Sequence, residues 1–175
     1  MKKITIVIDM LSGFAKKGAL SSPLINAIIK PMAAFLETRI NVDNIFICDA
    51  HSANDIEMQS YPIHCLKGSE EAEVVSELQK YVKQIVHKNS TNGFFEVSKQ
   101  IWKEYDEFEI IGCCTDICVM QFATTLKTYL NMLGENKNVI IYKDLVATFD
   151  SPSHKADEYQ KMALSLMENA GIIIK

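Results

Sequence analysis

Cys118 follows the apolar run Phe108–Ile111 across the turn Gly112-Cys113-Cys114-Thr115-Asp116-Ile117. After it, Val119, Phe122, Leu126, Tyr129, Leu130 and Leu133 recur at helical spacing. Strand, turn and helix in that order put Cys118 in the first helical turn. Unpaired backbone N–H groups and the positive end of the helix dipole favour a thiolate there, and the same N–H groups suit an oxyanion. Acyl transfer at sulfur also needs a proton carrier and a counter-charge. Asp9, which ends the run Ile4–Ile8, and Lys88, which follows Val82–Val86, supply these types. Lys88 would balance the thiolate and Asp9 would carry a proton to a leaving amine; a structural ion pair between the two is the plainer alternative.

A second group of residues runs from Asp49 into the polar stretch Ala50–Gly68, where Asp49-Ala50-His51 is followed by Glu57 and His64. Carboxylate and imidazole donors suit a divalent ion such as Zn, Mn or Fe, although histidines of a polar loop also serve as ordinary hydrogen-bonding residues. Phe14, Tyr61 and either Phe94 or Phe95 are candidates to wall a flat ring, with core packing as the alternative for each. His87 and His154 have no partner at ligand spacing.

The elements that must position these residues follow from periodicity. Ile4–Ile8, Asn44–Cys48, Val82–Val86, Phe108–Ile111, Val139–Tyr142 and Gly171–Ile174 read as strands. Helical segments separate them: from Ser22-Pro23 through Leu36 with a kink or split at Pro31, from an N-cap at Ser69, over Phe95–Trp102, from Thr115 to a C-cap at Gly134, and from Pro152 to about Asn169. Strands alternating with helices and no hairpin signal predict an α/β fold, a doubly wound six-stranded parallel sheet in a three-layer α/β/α arrangement. Ligands of such folds sit beyond the carboxyl ends of the strands, and Asp9, Asp49, Lys88 and Cys118 all lie at or just after those ends.

With 175 residues, 48% of them hydrophobic, the chain is expected to form one domain over residues 1–175. A net charge of -4 without a basic run argues against a nucleic-acid partner. No apolar run has the length of a membrane span, and five cysteines without regular spacing fit reduced thiols, with Cys48 as a core residue. A cytoplasmic enzyme acting on a small molecule is the expectation.

These residues resemble the isochorismatase-like cysteine hydrolases, and among them the nicotinamidases. Ile8-Asp9-Met10-Leu11-Ser12-Gly13-Phe14 is similar to the family's first motif, Tyr61-Pro62-Ile63-His64-Cys65-Leu66-Lys67-Gly68-Ser69 to its Pro-x-His-Cys loop, and Gly112–Val119 to its nucleophile motif; Lys88 is placed like the family lysine. The resemblance implies a triad of Cys118, Lys88 and Asp9, an oxyanion hole of the Cys114 and Cys118 N–H groups, and a cis peptide before Cys114. It implies one divalent metal ion, Zn with Mn or Fe as alternatives, on Asp49, His51, Glu57 and His64. It also implies a substrate ring between Phe14 and Tyr61, and a homo-oligomer. The expected reaction is hydrolysis of nicotinamide to nicotinic acid and ammonia through a thioester, in NAD salvage. A metal-independent amidohydrolase of carbamoyl or ureido compounds and a redox-sensing thiol with Cys113 or Cys114 as resolving residue are the rivals. Leu11 and Gly13 stand where the family's first motif commonly has Gln and a second Asp, which bears on the entrance to the site.

Overall fold

The computed structural model describes residues 1–175. Six strands, β1 (Lys3–Ile8), β2 (Asp43–Asp49), β3 (Ile85–Lys88), β4 (Glu107–Cys113), β5 (Asn138–Ala147) and β6 (Ile173–Ile174), form one sheet in the order β3-β2-β1-β4-β5-β6. Every pairing is parallel. The connections carry α1 (Ser12–Ala15), α2 (Pro23–Ala27), α3 (Ile29–Glu37), α4 (Ser76–Gln79), α5 (Lys99–Glu104), α6 (Met120–Met132) and α7 (Ala156–Asn169).

The strands are apolar on both faces because both faces are covered. On one, Ile4, Ile6, Ile8, Ile45, Phe108 and Ile110 pack against α5, α6 and α7, with Trp102, Phe122, Leu126 and Met167 at the contact. On the other, Val7, Phe46, Cys48 and Ile111 pack against α2, α3 and α4 through Ile25, Ile29, Met32, Leu36 and Leu78. The predicted three-layer α/β/α fold is the one observed.

Several boundaries differ from expectation for identifiable reasons. The Ser22–Glu37 segment does split, but at Ile28, which leaves Pro31 in the first turn of α3, where its missing N–H costs nothing. Ser69 does not cap a helix with its side chain; its Oγ is buried without a partner, and a single 3₁₀ turn, Glu70–Ala72, precedes the separate α4. Phe95–Trp102 likewise divides into a 3₁₀ turn, Gly93–Glu96, and α5. β3 begins at Ile85 rather than Val82. β5 runs on through Leu145–Ala147, a stretch whose sequence resembles a connection, because a register shift between Ile110 and Gly112 of β4 lets Val146 and Ala147 resume pairing. Gly134 follows the α6 C-cap at φ +70°, as its position predicts.

Far from the strands' carboxyl ends, Glu109 of β4 is fully buried and is held by Arg39 (Nε–Oε2 3.1 Å), the Tyr142 hydroxyl (2.9 Å) and Lys3 (3.5 Å). Burial works to raise the Glu109 carboxyl, but the hydrogen bonds from Arg39 and Tyr142 outweigh it and hold it below the ordinary glutamate range. A carboxylate depressed in the folded state stabilises the fold above its unfolded pKa, and that contribution is lost as pH falls through the folded value. Arg39→Ala is expected to cost about 2 kcal/mol, since Lys3 and Tyr142 remain as partners. Thermal unfolding checks this: the variant melts lower than the native protein at pH 7, and the gap narrows on acidification below the native Glu109 titration.

Candidate active site

The sheet order places β1 beside β4 at the point where the chain's direction of winding reverses, and the crevice opens there. Ile8 pairs with Gly112, so the residues following these two positions emerge side by side. Gly112 has φ +128°, and a side chain on it would run into the Ile8 backbone; glycine is what lets the two strand ends approach. Asp9, with φ +52°, takes up the left-handed conformation that Asp tolerates. This turns its carboxylate so that Oδ1 accepts the Asp49 N–H at 3.0 Å.

Lys88 ends β3 opposite Asp49 in register and is buried with Asp9 and Asp49. Its ammonium hydrogen-bonds Asp49 Oδ1, stands 2.9 Å from Asp9 Oδ2 as an ion pair, and lies 3.9 Å from Cys118 Sγ. One cation therefore serves two carboxylates and a thiol. Burial acts to lower the Lys88 pKa, but Asp9, Cys118 and Asp49 hold it well above the usual lysine value. Asp49 is also buried, and Lys88, His51 and His64 keep its carboxyl well below the carboxylate range. Asp9 takes the opposite course: burial and the Asp49 charge raise it to about 6 against the pull of Lys88. Of the two carboxylates, Asp9 is the one equipped to take and return a proton.

Cys118 lies not in a regular α-helix but in a π-helical turn, Thr115–Val119, that feeds α6. Burial pushes its thiol well above the ordinary cysteine value; Lys88 opposes this, while Asp9 and Asp49 add to it. The helix end is therefore not the only influence on the sulfur: burial works against a thiolate there and the Lys88 ammonium works for one. The Cys113–Cys114 peptide is cis, and the Cys114 N–H donates to no protein acceptor. That leaves a buried donor four residues before Cys118, at the start of the same turn, for an oxygen that the protein itself does not provide.

The long loop after β2 is folded back on itself by paired backbone bonds, His51 N–H to Cys65 O at 3.0 Å and Lys67 N–H to His51 O at 2.9 Å. This brings His51 and His64 to a ring separation of 4.7 Å. Donor atoms of Asp49, His51 and His64 all lie within 4.8 Å of one another. Each imidazole is tied at Nδ1, His51 to Asp55 Oδ2 at 3.1 Å and His64 to the Pro62 carbonyl at 2.7 Å. Both acceptors fix the proton on Nδ1 and leave a lone pair on Nε2. The His51 Nε2 is buried without a hydrogen-bond partner, which is what a ligand atom awaiting a cation requires. The donor set fits a divalent metal. Glu57 stands beside this trio rather than in it: Oε2 is 4.0 Å from His51 Nε2, and Oε1 accepts the Thr91 N–H at 2.8 Å.

A cavity of about 570 Å³ joins the two groups, with Cys118 and Cys114 at one part of its wall and Asp49, Glu57 and His64 at another. Phe14 and Tyr61 both line it, each edge-on to His64 at 5.6 and 6.3 Å. Phe94 and Phe95 do not: Phe94 stacks on Trp102 in the core, and Phe95 is exposed. Leu11 and Gly13 are buried and stay out of the cavity. A side chain at Gly13 would come within 2.8 Å of Cys65 Sγ and 3.1 Å of Glu71, so this departure is accommodated in packing rather than at the entrance. Sequence reasoning missed Leu20–Leu24 and Phe149–Ser151 of the cavity wall. The second of these follows β5, and the strand-end rule would have found it had β5 been read to its full length.

The family model of the isochorismatase domain matches residues 3–174. The chain belongs to the isochorismatase family. Among characterised proteins, Nicotinamidase 1 of Arabidopsis thaliana is 26% identical over 196 aligned positions, covering 95% of this chain and 79% of that one. Nicotinamidase from Bacillus subtilis superposes with a TM-score of 0.77 at 27% identity, covering 99% of each chain. An isochorismatase-like hydrolase from Alkaliphilus metalliredigens gives 0.82 at 24% identity, over 100% of this chain and 95% of that one. The pyrazinamidase of Pyrococcus horikoshii, solved in complex with zinc, gives 0.78 at 24% identity over 100% and 99% of the two chains. Together, family membership and the nicotinamidase relatives make this isochorismatase-family chain a hydrolase of the amide carbon–nitrogen class. None of its helices is long and apolar enough to cross a membrane.

Proposed function

We propose that the protein hydrolyses nicotinamide, or a close pyridine carboxamide, to the acid and ammonia, with Cys118 as nucleophile. The observation that carries this reading is that Cys118 lines one cavity with Asp49 and His64, two members of the Asp49–His51–His64 trio, and that Phe14 and Tyr61 wall it. A ring with a carboxamide on one side and a lone pair on the other has a use for both ends. The charged side chains lining the cavity are the carboxylates Asp49, Glu57 and Asp150, which favours a neutral amide over an anionic one.

In the reaction, Asp9 takes the thiol proton as Cys118 Sγ attacks the amide carbon, and Lys88 holds the charge of the thiolate as it forms. The oxyanion accepts hydrogen bonds from the Cys114 and Cys118 N–H groups. When the carbon–nitrogen bond breaks, Asp9 returns the proton to the departing nitrogen and ammonia leaves. Asp9 then takes a proton from water as its oxygen attacks the thioester; the carbon–sulfur bond breaks and Cys118 regains its proton. Asp49, His51 and His64, with Glu57 alongside, would hold a divalent ion, for which zinc suits the nitrogen and oxygen donors, and it would supply Lewis-acid anchorage for the ring nitrogen. Five free cysteines are compatible with the reducing cytoplasm in which NAD salvage runs.

Asp55 orients His51 without being a ligand, so Asp55→Ala is expected to weaken zinc binding about 10–100-fold by calorimetry. Ammonia release from nicotinamide is expected to stop on chelation and to return with added zinc. Undiminished turnover of nicotinamide by chelated protein, or turnover of a ureido compound alone, would contradict the metal-anchored reading.

A further inference from the structure

His154, which has no partner within reach in sequence, is held on four sides. Its Nε2 meets Asp116 Oδ2 at 2.7 Å and its Nδ1 meets the Phe149 carbonyl at 3.0 Å. Its ring stacks between Phe149, at 4.0 Å and 10°, and Tyr159 of α7, at 3.8 Å and 28°. The two ends of this clamp matter. Asp116 lies in the nucleophile turn two residues before Cys118, while Phe149, Asp150 and Ser151 form cavity wall. Backbone bonds between Ser151 and His154 in both directions, at 2.9 and 3.2 Å, close the wall segment into a small loop, and Asp150 Oδ1 secures it to the Ala156 N–H.

Neither acceptor of the ring can donate: one is a carbonyl oxygen, the other a carboxylate. The ring therefore bridges two acceptors that belong to different segments, the Phe149 carbonyl of the wall and the Asp116 carboxylate of the turn. We infer that His154 is a positioning residue that latches the Phe149–Ser151 wall to the Cys118 turn through Asp116, setting the distance between the substrate's ring and the sulfur. The latch touches neither substrate nor reacting atoms. A second tie runs nearby, Thr115 Oγ1 to Gln160 Oε1 at 2.8 Å, and it holds α7 to the same turn without involving the wall. Loss of His154 should therefore leave the turn folded and release the wall.

This inference rests on Cys118 being the nucleophile of the proposed hydrolysis, and its test keeps the two separable. His154→Phe keeps the stack and removes both hydrogen bonds; Asp116→Asn keeps the shape and removes the charge. Each is compared with the native protein in zinc-loaded form by three measurements: melting temperature, steady-state nicotinamide hydrolysis, and the rate at which iodoacetamide alkylates Cys118, read by peptide mass spectrometry. The expected result for His154→Phe is a cooperative melt, a rise in KM and a fall in kcat that together lower kcat/KM at least tenfold, and an altered Cys118 alkylation rate. Asp116→Asn should change the same quantities in the same direction by less. Native kinetics and native alkylation in both variants would overturn the inference. Alkylation responds even if nicotinamide is not the substrate, so a silent hydrolysis assay with altered Cys118 reactivity would reject the substrate and retain the latch.

Discussion

Cys118→Ala is expected to lower kcat for nicotinamide by about 10⁴–10⁶-fold, the scale on which removal of a covalent nucleophile falls in hydrolases that act through one. Nothing in the cavity can replace it. Cys114 also lines the cavity, but it contributes its N–H, and the Lys88 ammonium is placed against Cys118. The fold should be unaffected: replacing the buried sulfhydryl by hydrogen removes a small volume from a site that opens on the cavity, so the melting temperature should stay within a few degrees. Zinc binding should be retained as well, because none of Asp49, His51 and His64 is touched. Steady-state ammonia release and a calorimetric zinc titration on the same preparation check both halves. Loss of turnover together with loss of zinc would point to a structural effect instead.

Lys88→Met should be costly in a different way. The native ammonium is the only cation paired with Asp9, and it is also paired with Asp49; all three are buried. Taking it away leaves two carboxylates in the interior without a counter-charge, a change of the kind that costs about 3–5 kcal/mol. Chemical denaturation at neutral pH should show this as a lower midpoint. Activity should fall by about 10²–10³-fold, since the charge that develops on sulfur loses its fixed, buried partner. Zinc would partly restore stability by occupying Asp49, so the deficit should be smaller in the loaded protein than in the stripped one. An equal deficit in both would contradict the placement of Asp49 between the ammonium and the metal ligands.

The same buried arrangement bears on the redox-sensing rival. A sensor cysteine is exposed and holds its thiolate at neutral pH, whereas burial pushes the Cys118 thiol well above its ordinary value and sets it beside a carboxylate able to accept its proton. Those are the conditions for a thiol that is activated within a catalytic cycle.

Much of this was legible in the residues because parallel strands covered on both faces must be continuous apolar runs, and their carboxyl ends are where an α/β fold places its polar chemistry. Asp9, Asp49 and Lys88 could be picked out on that ground alone. The metal ligands were harder, since a loop gives no periodicity; only the backbone pairing of His51 with Cys65 and Lys67 shows that Asp49, His51 and His64 converge while Glu57 stands aside. Phe94 and Phe95 misled because an aromatic after a strand reads alike whether it faces a cavity or, as Phe94 does, stacks on Trp102. His154 was invisible for a related reason: its partners Asp116 and Tyr159 meet it only when α7 is packed on the nucleophile turn. The direction of the Cys118 shift depended on burial, and burial at a helix end is a property of the packed fold.

If nicotinamide is cut through a thioester on Cys118, a nucleophile stronger than water should divert that thioester. With zinc-loaded protein, nicotinamide and increasing hydroxylamine, nicotinohydroxamic acid is expected in growing proportion to nicotinic acid, while Cys118→Ala gives neither. Nicotinic acid formed at full rate with no hydroxamate at any hydroxylamine concentration, or product from the alanine variant, would contradict it.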